Sequence, residues 1–250
     1  MKRTERQHLK EHELAQLIGS ARDFIEPRRK QLTAVLVALV VVAIVAVAAM
    51  SIRQRRASRG QDLLAEAMVA LNARVVPAQP GDPTDVPAAA QFGNSGTFST
   101  EKAKLEAAIP KLKAAADAYP DSEAGITARY HLASAYAALG QPTDAIREYD
   151  DVIKRAGDSL YGHMAKFGKA DTLSRSGQTD AAIAAWKDLS TQTSDEVPQD
   201  AVLLELGKAY MQKGNKDEAR KTYTDLVDQH PDSVYSGEAR QELENLKRAA

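Results

Sequence analysis

The sequence predicts an all-α chain: a single transmembrane helix followed by a solenoid of stacked helix pairs. Two observations carry this reading. An uncharged run, nearly all Val, Ala, Leu and Ile, occupies 31–52, and an apolar pattern marked by Gly140, Gly177 and Gly214 returns at an interval of 37 residues. A third observation narrows the chemistry: cysteine is absent, which removes disulfides and thiolate metal sites.

The apolar run covers 22 residues. At ~1.5 Å per residue it makes about 33 Å of helix, the thickness of a bilayer core. A cleaved signal peptide with Ala46-Val47-Ala48 as its processing site is the competing reading. The 30 residues ahead of the run and the arginines directly behind it favour an uncleaved signal anchor. The tail 1–30 reads as a short basic amphipathic helix. Thr4 and Gln7 form a capping box, Leu14, Leu17, Ile18, Ala21, Phe24 and Ile25 recur at helical spacing, and Pro27 ends the pattern.

Charge is divided unevenly along the chain. Residues 1–59 hold 12 Lys/Arg against 5 Asp/Glu, and the rest hold 21 against 29. The basic end suits anionic headgroups, whereas the acidic remainder lacks the basic stripe that nucleic acid requires. Within about fifteen residues of the run the Lys/Arg count is tied, with Arg22, Arg28, Arg29 and Lys30 against Arg53, Arg55, Arg56 and Arg59. Lys2, Arg3, Arg6 and Lys10 tip the whole tail toward an N-terminus inside and repeats outside.

The repeat region spans 53–250. Five residues after each marker glycine stands Ala145, Ala182 or Ala219; nine after stands Tyr149, Trp186 or Tyr223; twelve after stands Val152, Leu189 or Leu226. Four before stands Tyr136, Leu173 or Tyr210, and seven before stands Ala133, Ala170 or Gly207. One helix pair cannot bury such a pattern alone, so the pairs must stack. Each glycine ends a first helix, the small residues let two backbones approach, and the aromatic fills the space beside them. The repeats lie near 121–157, 158–194 and 195–231. A half-repeat precedes them, with Ala108, Leu112 and Ala115 on its second helix and Gln61 to Arg74 as its first. A Pro- and Gly-rich flexible insertion at 75–100 separates those two, and a capping helix at 233–248 closes the array. No β-sheet is expected.

Three strings imitate catalytic motifs. His8-Leu-Lys-Glu-His12 matches a zinc-peptidase string but lies in a short polar helix. Gly157-Asp-Ser-Leu160 matches the name-giving block of GDSL hydrolases, yet falls in a turn between helices, where Gly and Asp are turn formers. Ser99-Thr-Glu-Lys102 lacks the companion motifs of an S-x-x-K enzyme and reads as a helix start, with Ser99 or Thr100 as cap.

Residues 117–246 resemble the 37-residue tetratricopeptide (TPR) variant of bacterial envelope proteins. Tyr119-Pro-Asp-Ser122, Ala128-Arg-Tyr-His-Leu-Ala-Ser-Ala-Tyr136, Gly140, Ala145-Ile-Arg-Glu-Tyr149 and His230-Pro-Asp-Ser233 carry the likeness. The Tol–Pal-associated cell-division coordinator and the outer-membrane assembly lipoproteins use this variant. The whole-chain plan is similar to that of the ancillary subunit of the Sec translocon. Lys169 stands where a leucine is expected, Gly157 replaces the usual proline, and the 75–100 insertion has no counterpart.

The resemblance implies a non-enzymatic scaffold or chaperone-like adaptor. It would be a single-pass protein of the inner membrane, held by 31–52, with the repeats in the periplasm. Its partners would be membrane or exported proteins, with no cofactor, metal, nucleic acid or small-molecule substrate. A membrane-anchored hydrolase and a cytosol-facing TPR co-chaperone are the alternatives. The carboxylate clamp of such a co-chaperone needs Lys and Asn where Tyr130 and Ser134 stand. In TPR arrays the concave surface is lined from positions ten and six before the turn glycine. These are Tyr130 and Ser134, Phe167 and Asp171, Leu204 and Lys208; Met164, Arg175 and Met211 complete the candidate protein-binding groove. Methionines and aromatics adapt to extended or helical protein segments. The competing reading makes Phe167 and Leu204 core residues.

Overall fold

The computed structural model describes residues 29–76, 97–192 and 197–248. The predicted tail helix with its His8–His12 string, and the interior of the 75–100 insertion, lie outside the described residues. The elements are α1 (Arg29–Leu71), β1 (Arg74–Val75), β2 (Thr97–Phe98), α2 (Glu101–Ala118), α3 (Glu123–Ala138), α4 (Pro142–Ala156), α5 (Leu160–Arg175), α6 (Thr179–Ser190), α7 (Gln199–Lys213), α8 (Lys216–Gln229) and α9 (Ser236–Arg248). The chain divides into two units, 1–55 and 56–250.

In the first unit the described residues are helical, and their large apolar side chains, from Val37 to Ile52, are at least half exposed. Among the described residues, α1 is the helix long and apolar enough to cross a membrane, with a mean hydropathy of 2.2 over its most apolar window.

The second unit is a TPR-like helical solenoid with one short strand pair at its start. It opens with the end of α1, whose Ala67 and Ala70 pack with Leu105, Ala108 and Leu112 of α2 and Leu132 of α3. Leu63 and Leu64 lie against Ala115, Ala116 and Ala128. Three helix pairs come next, α3 with α4, α5 with α6 and α7 with α8. Each first helix ends in the same way. Gly140, Gly177 and Gly214 have φ of 72°, 77° and 83°, a conformation that a side chain would strain. The next residue's N–H returns to the carbonyl five positions back: Gln141 to Tyr136 at 2.9 Å, Gln178 to Leu173 at 3.0 Å, and Asn215 to Tyr210 at 2.9 Å. This is the Schellman closure, and it explains why a large residue recurs four before each glycine: that residue supplies both the accepting carbonyl and an apolar contact.

The aromatic positions form the core. Trp186 is fully buried, and Tyr149 and Tyr223 nearly so, beside the small residues Ala133, Ala170 and Gly207. A Cβ on Gly207 would fall inside the Tyr223 ring's contact radius, so any other residue at this helix crossing must displace the ring. Lys169, which stands where a leucine is expected, is satisfied by Asp150 of α4 at 2.6 Å.

Two expectations need correction. The chain is not free of β-structure: β1 and β2 pair in parallel, with Arg74 opposite Thr97 and Val75 opposite Phe98. The Val76 N–H extends the ladder to the Phe98 carbonyl at 2.8 Å, and Phe98 is buried. An apolar side chain that needs cover, together with unpaired backbone groups, makes an ordered clasp of the two ends of what reads as loop. The closing helix starts at Ser236 rather than Ser233. The Ser233 hydroxyl donates to the Asp200 carboxylate at 2.7 Å and accepts from the Tyr235 N–H at 3.0 Å, which holds 233–235 in a turn.

Candidate protein-binding groove

Three of the nine candidate residues converge. Tyr130 of α3 and Met164 and Phe167 of α5 line one half-open cleft of about 250 Å³, together with His163, Gly168, Val197 and Pro198. The walls are largely apolar. Phe167 stands edge-on to Trp186 with ring centroids 4.8 Å apart, which fixes its ring from below. The indole N–H of Trp186 donates to the Ser174 hydroxyl at 2.9 Å, so the buried ring has no unsatisfied donor.

A cluster of aromatics makes the other wall. Tyr130 lies 6.0 Å from Tyr149, 5.7 Å from Tyr161 and 5.5 Å from His131, centroid to centroid. Tyr149 reaches under α5 because Gly168 has no side chain; a Cβ there would meet the Tyr149 ring carbon Cζ at 2.6 Å. The Tyr149 and Ser134 hydroxyls share a hydrogen bond at 3.0 Å, which occupies Ser134. Burial raises the Tyr130 and Tyr149 phenols above their ordinary pKa and lowers the His131 imidazole below its own. Burial thus favours the neutral forms of Tyr130, Tyr149 and His131, and the cluster offers shape and π-surface rather than acid–base chemistry.

The other candidates are placed differently. Leu204 is only 2 % exposed and is a core residue, so it is removed from the groove. It joins the cluster that α9 closes with Ala239 and Leu246. Met211 is half-buried against the same cluster. Asp171 and Arg175 pair along α5 at 3.7 Å, and Arg175 borders a separate cleft of about 180 Å³ with Gly140 and Thr172. Lys208 is engaged by Glu205 at 3.0 Å and by Glu238 of α9 at 2.9 Å. His163, Gly168, Val197 and Pro198 escaped the sequence reading. The pairing of a first-helix glycine with the aromatic of the preceding repeat was the one signal that could have found Gly168.

Among the described residues no group of His, Cys, Asp or Glu is placed to hold a metal ion. The Gly157-Asp-Ser-Leu160 string forms the turn from α4 to α5, with Ser159 at the N-cap of α5. Thr100 caps α2 by accepting from the Ala103 N–H at 3.1 Å.

These features define the class: a helical solenoid built from tetratricopeptide-type repeats. The tetratricopeptide repeat family profile matches residues 127–159 and 201–233, which are the first and third helix pairs. No protein of curated function matches the chain. A tetratricopeptide repeat protein from Parabacteroides merdae is similar in structure, with a TM-score of 0.50 and 18 % identity, over 64 % of this chain and 57 % of that one. The nearly identical TPR-like repeats of a Podosopora anserina protein of kinesin light chain type give 0.49 at 16 % identity, over 66 % and 89 %. MamA from Desulfovibrio magneticus RS-1 gives 0.45 at 20 %, over 58 % and 87 %. At these identities the likeness is one of fold. Repeats of this type make a protein-interaction scaffold.

Proposed function

We propose that this chain is a membrane-anchored scaffold or chaperone-like adaptor of the bacterial envelope. In this reading residues 31–52 hold it in the inner membrane, the repeats stand in the periplasm, and the cleft between α3 and α5 takes a segment of a membrane or exported protein. The observation that carries the binding reading is the cleft itself. It is apolar, open to solvent and walled by Tyr130, Met164 and Phe167, whose backs are fixed by Tyr149 and Trp186. A rigid aromatic wall with an adaptable methionine suits one inserted apolar side chain. The anchor reading is supported by the uncovered apolar side chains from Val37 to Ile52, and the orientation by the Lys/Arg total of the tail.

The full chain in detergent supplies its own reporter, because Trp186 is the sole tryptophan and touches Phe167. Peptides carrying a single Leu or Phe among polar residues should change its emission in a saturable way. Tyr130→Ser with Met164→Ser, both on the cleft wall, should abolish the change while leaving the unfolding midpoint close to that of the parent chain. A collapse in stability, or binding that survives intact, would place the site elsewhere. Protease added to spheroplasts should digest residues 60–250; protection of that part would reverse the orientation.

A further inference from the structure

Among the described residues no carboxylate lines the cleft between α3 and α5, but the next first helix along the array is different. The 37-residue interval carries Gly168, on the cleft wall, onto Glu205 of α7. Glu205 stands seven residues beyond Pro198, which also lines the cleft, so it lies about 10 Å away along the helix. There Lys208 is held between Glu205 and Glu238, at 3.0 and 2.9 Å. Glu242, one turn further along α9, completes the group. Glu205, Glu238 and Glu242 all act on the Tyr223 phenol, whose pKa is raised first by burial and then by their charge. Lys208, one ammonium, contacts two carboxylates, Glu205 and Glu238, and Glu242 acts with them on Tyr223, so this group carries more negative than positive charge. It is also reachable, since the side chains of Glu205 and Glu238 are 30 % and 46 % exposed. Two of the three carboxylates come from the closing helix rather than from a repeat position. Along the same face, the Asp171–Arg175 pair is neutral.

We infer that the segment seated in the cleft is basic beside its apolar anchor: a Leu, Met or Phe fills the Tyr130–Phe167 cleft, and a Lys or Arg about three residues away in an extended chain meets Glu205 and Glu238. This rests on the reading of the cleft as a partner site and adds the charge of the partner. The apolar anchor supplies affinity, and the carboxylates select against acidic segments, which would be repelled at the same distance.

Three fluorescent peptides test it against the full chain in detergent micelles. Each has one Leu anchor in a Ser/Gly background, with two Lys, two Ser or two Glu placed three and four residues from the anchor. The Lys peptide should bind about tenfold tighter than the Ser peptide, the Glu peptide should bind weakest, and the Lys advantage should shrink as salt is raised. In Glu205→Gln with Glu238→Gln the Lys and Ser peptides should become equal to within about twofold. If that pair unfolds, Glu242→Gln alone should reduce the advantage. Equal binding of all three peptides to the parent chain would overturn the charge inference and leave the cleft as the site. A Lys preference that is unchanged in the Gln variants would overturn it equally. Binding of none would remove the cleft reading and this inference with it.

Discussion

The first and third helix pairs share one backbone plan and close their joints by opposite means. Where α2, α3 and α4 meet, the guanidinium of Arg129, a residue 9 % exposed, faces Asp117 at 2.8 Å, Glu148 at 2.6 Å and Asp151 at 3.0 Å. Its Nε–H is not aimed at the Asp151 oxygen, so that contact is ionic rather than a hydrogen bond. At the corresponding positions of the third pair stand Leu203 and Thr222, and the Thr222 hydroxyl turns back to the Glu218 carbonyl at 2.9 Å. The second pair has Lys166 and Ala185 there. The repeat geometry therefore does not require the ions. A buried ionic joint costs desolvation that an apolar joint avoids, but once built it cannot lose one member cheaply.

That asymmetry can be tested most sharply by taking it apart. Arg129→Ala should cost about 3 kcal/mol in urea denaturation, because buried Glu148 is left with the exposed Arg147 as its partner. Trp186→Ala, the apolar counterpart, should cost about the same through its cavity. The mechanisms separate in the repair. Arg129→Leu with Glu148→Thr, the residues of the third pair, should return stability to within about 1 kcal/mol of the parent chain. A double variant as unstable as Arg129→Ala would mean that the ionic joint contributes more than its replacement can.

A smaller effect is expected at the apolar joint itself. Gly207→Ala should cost about 1–3 kcal/mol by pushing Tyr223 off its position, read as a lower melting temperature. The smallest effect is in acid. Asp117 is held below its ordinary pKa of 3.8 by the Lys113 hydrogen bond first and by Arg129 after it. A lowered carboxylate stabilises above its unfolded value and loses that contribution as pH falls below about 3.8 and through its folded value. Asp117→Asn should therefore be less stable at neutral pH and should show a flatter acid limb. An unchanged acid limb would remove Asp117 from the joint's pH response.

Much of the fold was legible because its constraints are local. A left-handed residue at a fixed interval is written as Gly140, Gly177 and Gly214, and helical offsets from it locate Trp186 and the small residues opposite. The hidden features depend on contacts between segments. Arg129 and Glu148 are 19 positions apart, and nothing in either helix's periodicity pairs them. Phe98 sits in a stretch without period, so neither its burial nor its pairing with β1 shows in its neighbours in sequence. In the groove, position ten before the glycine holds half-buried Tyr130 and Phe167 but fully covered Leu204. Repeat register gives a position its direction, whereas its cover depends on the residues that the rest of the array packs around it.

The β1–β2 clasp has a consequence for how this chain can be altered. Arg74 and Thr97 are ladder partners, so whatever chain joins them leaves and re-enters at neighbouring points. Doubling the length of such a connection costs only about 0.6 kcal/mol in closure entropy. The clasp is thus a natural socket: a foreign domain whose own termini lie close together could be spliced between residues 76 and 97, with the helix pairs left to assemble as before.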